Sequence, residues 1–175
     1  GPWEWKGPVA RSGMCVYGKL FRGKAGFVSM NWYPDLANYR RDGYDFDARY
    51  EDGLASRKDK QVYDMLLQHG SMLTKELKAA CGYRKGGEKG FDTVITRLQM
   101  QTYVNVEDFI YMIDRHGNLY GWGMARYTTP EEQFDASIIR AAYDRPPEIS
   151  KGRIFDYLCR RLQGVSEKQI LKVIE

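Results

Sequence analysis

Cysteine is scarce in this 175-residue chain and histidine scarcer: Cys15, Cys81 and Cys159 stand far apart with no CxxC pair, and only His69 and His116 occur. Unpaired spacing of this kind excludes a zinc finger and a disulfide framework, and fits a reducing cytoplasm. Each cysteine reads as a small buried hydrophobe. Neither histidine has a second His or a Cys at ligand spacing, so no metal is expected. HExxH and GxSxG are absent. Gly82 to Gly87 has the glycine spacing of a P-loop, but Glu88 stands where the phosphate-binding lysine belongs, so no nucleotide cofactor is expected. A calcium loop fails too, because Asp45-x-Asp47 is followed by Arg49 and Tyr50 where an oxygen ligand and a glycine are required. No run of about 18 apolar residues marks a membrane span, and no charged-then-apolar leader marks secretion. The chain begins Gly1-Pro2 rather than with methionine, which reads as a processing scar or as the cut end of a longer protein with an upstream domain.

What the chain does have is enough apolar material for a core, 43% of residues, and a mild basic excess of 27 over 23 acidic side chains, net +4. That length and content predict one compact domain or two small ones. The charge permits a nucleic-acid partner without requiring one.

The most patterned stretch runs from Ser71 to Tyr127. Phe91, Val94, Ile95 and Leu98 fall at i, i+3, i+4 and i+7, the stripe of an amphipathic helix. Its opposite face carries Thr93, Thr96 and Met100, flanked by Asp92, Arg97 and Gln99. A shorter helix is expected from Lys75 to Ala80, capped by Thr74 and closed by Gly82. The link between them holds Arg84, Lys85, Lys89 and three further glycines, giving the order helix, basic glycine turn, helix. The period then changes to two: Tyr103 to Asp108 and Phe109 to Asp114 read as strands, with Leu119 to Tyr127 a partner across a turn at Arg115-His116-Gly117-Asn118. Ser56 and Asp59 cap a preceding helix, Arg57 to Gln68, with Val62, Met65, Leu66 and His69 on its apolar side. The fold class expected is α+β, a winged helix-turn-helix at residues 54–128.

Residues 1–53 form the N-terminal extension. Pro2 to Pro8 reads as an extended strap carrying Trp3 and Trp5, Met14 to Phe21 and Ala25 to Met30 as a hairpin with a basic tip, and Pro34 to Arg41 as a short helix. Tyr39 to Gly53 mixes aromatics, arginines and carboxylates. Either Arg40, Arg41 and Arg49 with Tyr44, Phe46 and Tyr50 contact phosphates and an unpaired base, or the loop's charges pair internally while its aromatics anchor it, the reading favoured here. In residues 129–175, Thr129-Pro130-Glu131-Glu132 starts a helix to Tyr143 with Phe134, Ile138 and Ala141 inward. Ser150 opens another with Ile154, Leu158 and Leu162, and Ser166 with Gln169 caps a last one. These helices are expected to cover the module or to form a homodimer surface.

The runs GYRKGGEKGFDTVITRLQMQTYV, YGWG and YGKLFRGKAGFVS resemble bacterial winged-helix proteins related to the AlkZ-type DNA glycosylases, from Trp3 to Tyr127. The resemblance implies a winged-helix fold, DNA binding and a link to DNA repair. In the glycosylase branch two glutamines flanking one apolar residue excise alkylated or crosslinked bases, and Gln99-Met100-Gln101 has that form. Three functions follow as alternatives. A duplex-DNA-binding module without chemistry would place Lys89, Thr93, Thr96 and Arg97 at a groove, Arg84 and Lys85 on phosphates, and Arg115 and His116 at the wing. A repair hydrolase would act through Gln99 and Gln101. A protein-interaction domain would use the aromatic N-terminal half.

Overall fold

A computed structural model describes the backbone of residues 2–175 and the side chains of all of these except 2–5, 7, 121 and 122. Fifteen described elements follow one another. Helix α1 (Pro2–Arg11) leads into strands β1 (Cys15–Phe21) and β2 (Lys24–Ser29), then α2 (Tyr33–Arg41) and α3 (Phe46–Glu51). A second group comprises α4 (Arg57–His69), β3 (Ser71–Leu73), α5 (Thr74–Ala80), α6 (Phe91–Met100), β4 (Asn105–Ile113) and β5 (Leu119–Thr128). Four helices close the chain: α7 (Pro130–Phe134), α8 (Ala136–Ile139), α9 (Pro147–Arg161) and α10 (Glu167–Ile174). The class is α+β, with one five-stranded antiparallel sheet in the order β2-β1-β4-β5-β3.

Local chemistry explains most of these boundaries. Ser56 and Asp59 form a reciprocal capping box on α4, and Ser166 with Gln169 forms one on α10, each satisfying two amides that a helix start leaves unpaired. The expected stripe of α6 is buried: Phe91, Val94, Ile95 and Leu98 join Val62 and Leu66 of α4, Leu77 of α5, and Val106 and Tyr127 of the sheet in the main core. A second core gathers Val16, Leu20, Tyr33, Ala37, Phe134 and Ile139, and a third gathers Leu36, Ile154, Ile170 and Ile174. The sheet joins segments that the sequence separates at residue 53, because Tyr17 of β1 pairs with Val106 of β4.

Several expectations are corrected. Pro2 to Pro8 is not an extended strap but the first part of α1; Pro8 lies inside that helix. The packing expected of Trp3 and Trp5 falls outside the described side chains. The two strands expected at 103–108 and 109–114 are one strand, β4, interrupted by register shifts at Val106/Asp108 and Ile110/Met112 that break the simple alternation. The helix expected from Thr129 to Tyr143 stops after Phe134, where Asp135 takes φ 81°, and restarts as α8. That break shifts the inward register by one, so Ile139 and Ala142 are buried while Ile138 is exposed. His69 and Leu162 are exposed rather than inward.

The Tyr39–Gly53 stretch is fastened in place, its aromatics packed as expected, but its charges do not pair among themselves: among the described residues no ion pair lies within it, and Arg40 and Arg41 reach other segments. Asp45 caps α3 by accepting from the Ala48 amide at 2.8 Å, and Phe46 stacks on Tyr63 with centroids 4.4 Å apart. Arg49 donates to the Tyr103 hydroxyl and to the carbonyls of Arg40 and Arg41. Arg41 is only 2% exposed and bridges three segments. It donates to the Thr102 hydroxyl and carbonyl, to both oxygens of Glu131 at 2.8 and 3.1 Å, and to the Tyr143 hydroxyl at 2.7 Å. Burial alone disfavours both charges, but each holds the other ionised: Arg41 is pushed up and the Glu131 carboxyl down.

Candidate nucleic-acid interface

The turn between α5 and α6 is built from its own backbone. The Tyr83 amide donates to the Lys78 carbonyl at 2.8 Å, Gly87 to Arg84 at 2.8 Å, and Glu88 to Gly82 at 2.9 Å. A Cβ at Gly87 would lie 2.4 Å from the Gly82 carbonyl oxygen, so only glycine fits there. The far side of the turn is tied to α4. Glu88 sits 3.4 Å from both the Arg57 and Lys58 cations, and Lys58 also donates to the Lys89 carbonyl at 2.8 Å. The Lys58 hydrogen bond holds the Glu88 carboxyl below its ordinary range. Edge-to-face packing of Tyr83 on Phe91, centroids 5.3 Å apart, anchors the turn to the start of α6.

This arrangement consumes Glu88 and leaves the other charges outward. Arg84, Lys85 and Lys89 are exposed and carry no ion pair among the described residues. With Lys78, Tyr83 and Asp92 they line an open concavity of about 440 Å³. Thr93 is exposed one residue further along α6. Arg115 and His116 are exposed at the tip of the β4–β5 hairpin, where one Asp114 carboxylate oxygen accepts from the His116 and Asn118 amides at 2.8 and 2.9 Å. Next to that tip the strands carry exposed Met112, Ile113, Leu119 and Tyr120, an apolar end that the sequence reading passed over.

The remaining sequence candidates are engaged elsewhere. Arg97 donates from Nε to both oxygens of the buried Asp59 at 3.1 Å and from a terminal nitrogen to one of them, which ties α6 to the capping box of α4 and raises the Arg97 pKa. Thr96 faces the β1–β2 turn; a Cβ at Gly23 would lie 3.5 Å from its methyl. Met100 sulfur accepts from the Gly23 amide at 3.3 Å. The N-terminal hairpin therefore covers the second half of the α6 face that the helical spacing leaves polar.

The same hairpin buries Gln99, which is 1% exposed. Its Oε1 accepts from the Lys19 amide and its Nε2 donates to the Ile95 carbonyl, both at 3.0 Å. Gln101 is half-buried, and its Oε1 is shielded from solvent without a hydrogen-bond partner. The two glutamines thus occupy different environments: one is committed at both ends of its amide, and the other keeps a free acceptor.

The family pattern described as AlkZ related matches residues 1–175. The chain belongs to the AlkZ-related family. No curated protein and no solved structure matches it. Membership points to a DNA-repair-related, glycosylase-like setting for this AlkZ-related chain. Among the described residues no helix is long and apolar enough to cross a membrane, and no cluster of three His, Cys, Asp or Glu side chains is placed to hold a metal ion.

Proposed function

We propose that this AlkZ-related protein is a cytoplasmic winged-helix DNA-binding protein linked to DNA repair, with duplex DNA as its partner. The observation that carries the reading is the α5–α6 turn, where Arg84, Lys85 and Lys89 stay exposed and unpaired while Glu88 is neutralised by α4. The order α4, β3, α5, α6, β4, β5 supports the winged-helix reading, in which α6 is the recognition helix and β4–β5 the wing. Thr93 and Lys89 face the groove, Arg84 and Lys85 take phosphates, and Arg115 and His116 follow the backbone from the wing. Arg97 and Thr96 hold the recognition helix in place rather than reading bases. The test is fluorescence anisotropy of labelled intact duplex, alkylated duplex and single strand at two salt concentrations. Salt-sensitive binding to duplex is expected. Failure to bind any of the three at low salt would refute the reading.

A second reading is a glycosylase-like hydrolase, favoured by one observation: the unpartnered buried Oε1 of Gln101, which can accept from an attacking water. It expects abasic product from alkylated or crosslinked duplex and its loss in Gln101→Ala. In this reading Gln99 fixes the helix end against β1. A complete lack of product over a broad panel of lesions removes it.

A further inference from the structure

A polar cleft of about 280 Å³ opens where the end of α4, the start of β3, the bases of β4 and β5, and α7 meet. Glu107, Glu132, Gln133, Thr128 and His69 line it. Glu107 reaches it because of a break in the β4–β5 register. Val106 pairs with Tyr127 and Asp108 with Arg126, so Glu107 is the extra residue with nothing opposite, and such bulges re-aim a side chain.

The hydrogen-bond accounting of this wall is one-sided. Gln133 donates from Nε2 to the Ala10 carbonyl at 3.0 Å, Asn105 donates from Nδ2 to Gln133 Oε1 at 2.6 Å, and the Thr128 hydroxyl donates to the Gly70 carbonyl at 2.6 Å. Each of these three side chains therefore directs a donor into the fold. Glu107 Oε2 on the lining is left over, shielded from solvent with no partner; Oδ1 of Asn105, a residue 1% exposed that bonds Gln133 but does not itself line the cleft, is likewise unpartnered. Glu132 lies alongside, its Oε1 3.4 Å from where a Cβ on Gly70 would be. Neither glutamate enters an ion pair among the described residues. A buried acceptor without a donor is costly, more so when charged; any N–H or O–H donor relieves it, and a cation bearing N–H groups supplies the opposite charge as well.

We propose that this cleft binds an organic cation bearing N–H donors, a primary ammonium or a guanidinium, with Glu107 as its counter-ion and Glu132 at its side. The proposal stands apart from the DNA interface, since two free carboxylates repel a phosphate backbone. The same chemistry comes from a free polyamine or from a Lys or Arg side chain of a polypeptide. Calorimetric titration of the whole protein with spermidine, ethylguanidinium, an end-blocked arginine tripeptide and tetramethylammonium separates these sources. Saturable binding of at least one of the N–H cations is expected, with spermidine tightest if the natural ligand is a polyamine and the tripeptide tightest if it is a side chain. Glu107→Gln, which keeps the shape and removes the charge, should weaken that binding by about tenfold or more. The same variant should unfold at a temperature equal to or above the parent's, because it removes the charge from a carboxylate whose Oε2 is shielded and unpaired, so a loss of binding is not a loss of fold. Absence of saturable binding by every N–H cation, undiminished binding to Glu107→Gln, or equally tight binding of tetramethylammonium would overturn the proposal.

Discussion

Replacing Arg41 with methionine removes a guanidinium that is 2% exposed and makes five hydrogen bonds, reaching Thr102, Glu131 and Tyr143. Methionine roughly fills the volume, so the effect is electrostatic rather than a cavity. It strands the Glu131 carboxylate, whose side chain is 17% exposed, with only the half-exposed Arg140 at 3.1 Å. Breaking a buried pair by deleting one partner costs about 3–5 kcal/mol. At roughly 2–4 °C per kcal/mol for a chain of this size, the melting temperature should fall by about 6–20 °C at neutral pH. The sign of the pH dependence follows from Glu131, whose folded pKa lies below its ordinary 4.5. Its contribution is present above that value and is lost as pH falls through the folded pKa, so the gap between parent and Glu131→Gln narrows in acid. Urea denaturation at a series of pH values measures both quantities. A second replacement, Arg41→Met with Glu131→Leu, should recover much of the loss, since an apolar pair avoids the desolvation of both ions. A single-variant cost below about 1 kcal/mol, the level of an exposed ion pair, would refute the claim that this network fastens α2 to α7.

Other outcomes follow from the same geometry. Arg84→Glu with Lys85→Glu should lower the slope of log affinity against log salt by about 1.8, two phosphate contacts at about 0.9 each, so the affinity lost between about 50 and 200 mM salt shrinks roughly twelvefold; an unchanged slope removes both residues from the interface. Gln99→Leu should cost about 1–3 kcal/mol in urea, because the Lys19 amide loses its acceptor, whereas Gln101→Ala removes only an unpartnered one and should leave the midpoint near the parent's. Gly87→Ala should destabilise the protein by about 1 kcal/mol or more and weaken duplex binding, since its Cβ meets the Gly82 carbonyl at 2.4 Å.

The elements legible in the sequence are those whose causes are local. The α6 stripe, the Ser56–Asp59 and Ser166–Gln169 capping boxes and the Gly117 turn each depend on residues within about one or two helical turns, and each stands where the spacing predicts. What escaped the sequence depends on distant partners. The Asp135 break is invisible to a capping motif that reads only its own start, and one residue of lost helix moved burial from Ile138 to Ile139. The Val106/Asp108 bulge leaves no periodic signature, since a single inserted residue resembles the end of one strand and the start of another.

The candidate site shows the same division more sharply. Helical spacing puts Gln99 on the flank of a polar face, and a face is exposed only if no other element lies over it. The element that covers it comes from β1, 80 residues earlier in the chain, where Gly18 lets the strand approach until a Cβ there would stand 3.3 Å from Gln99 Oε1. Coverage is confined to one end. Gly23 reaches Thr96 and Met100, while Thr93 and the Arg84 to Lys89 turn stay open. In the proposed duplex-binding mode the N-terminal half of α6 and the glycine turn are the open surface, with the β1–β2 tip, Arg22 and Lys24, beside the covered half. Charge reversal at Lys89 should cost more affinity than the same change at Lys24, and the opposite order would move the interface to the N-terminal hairpin.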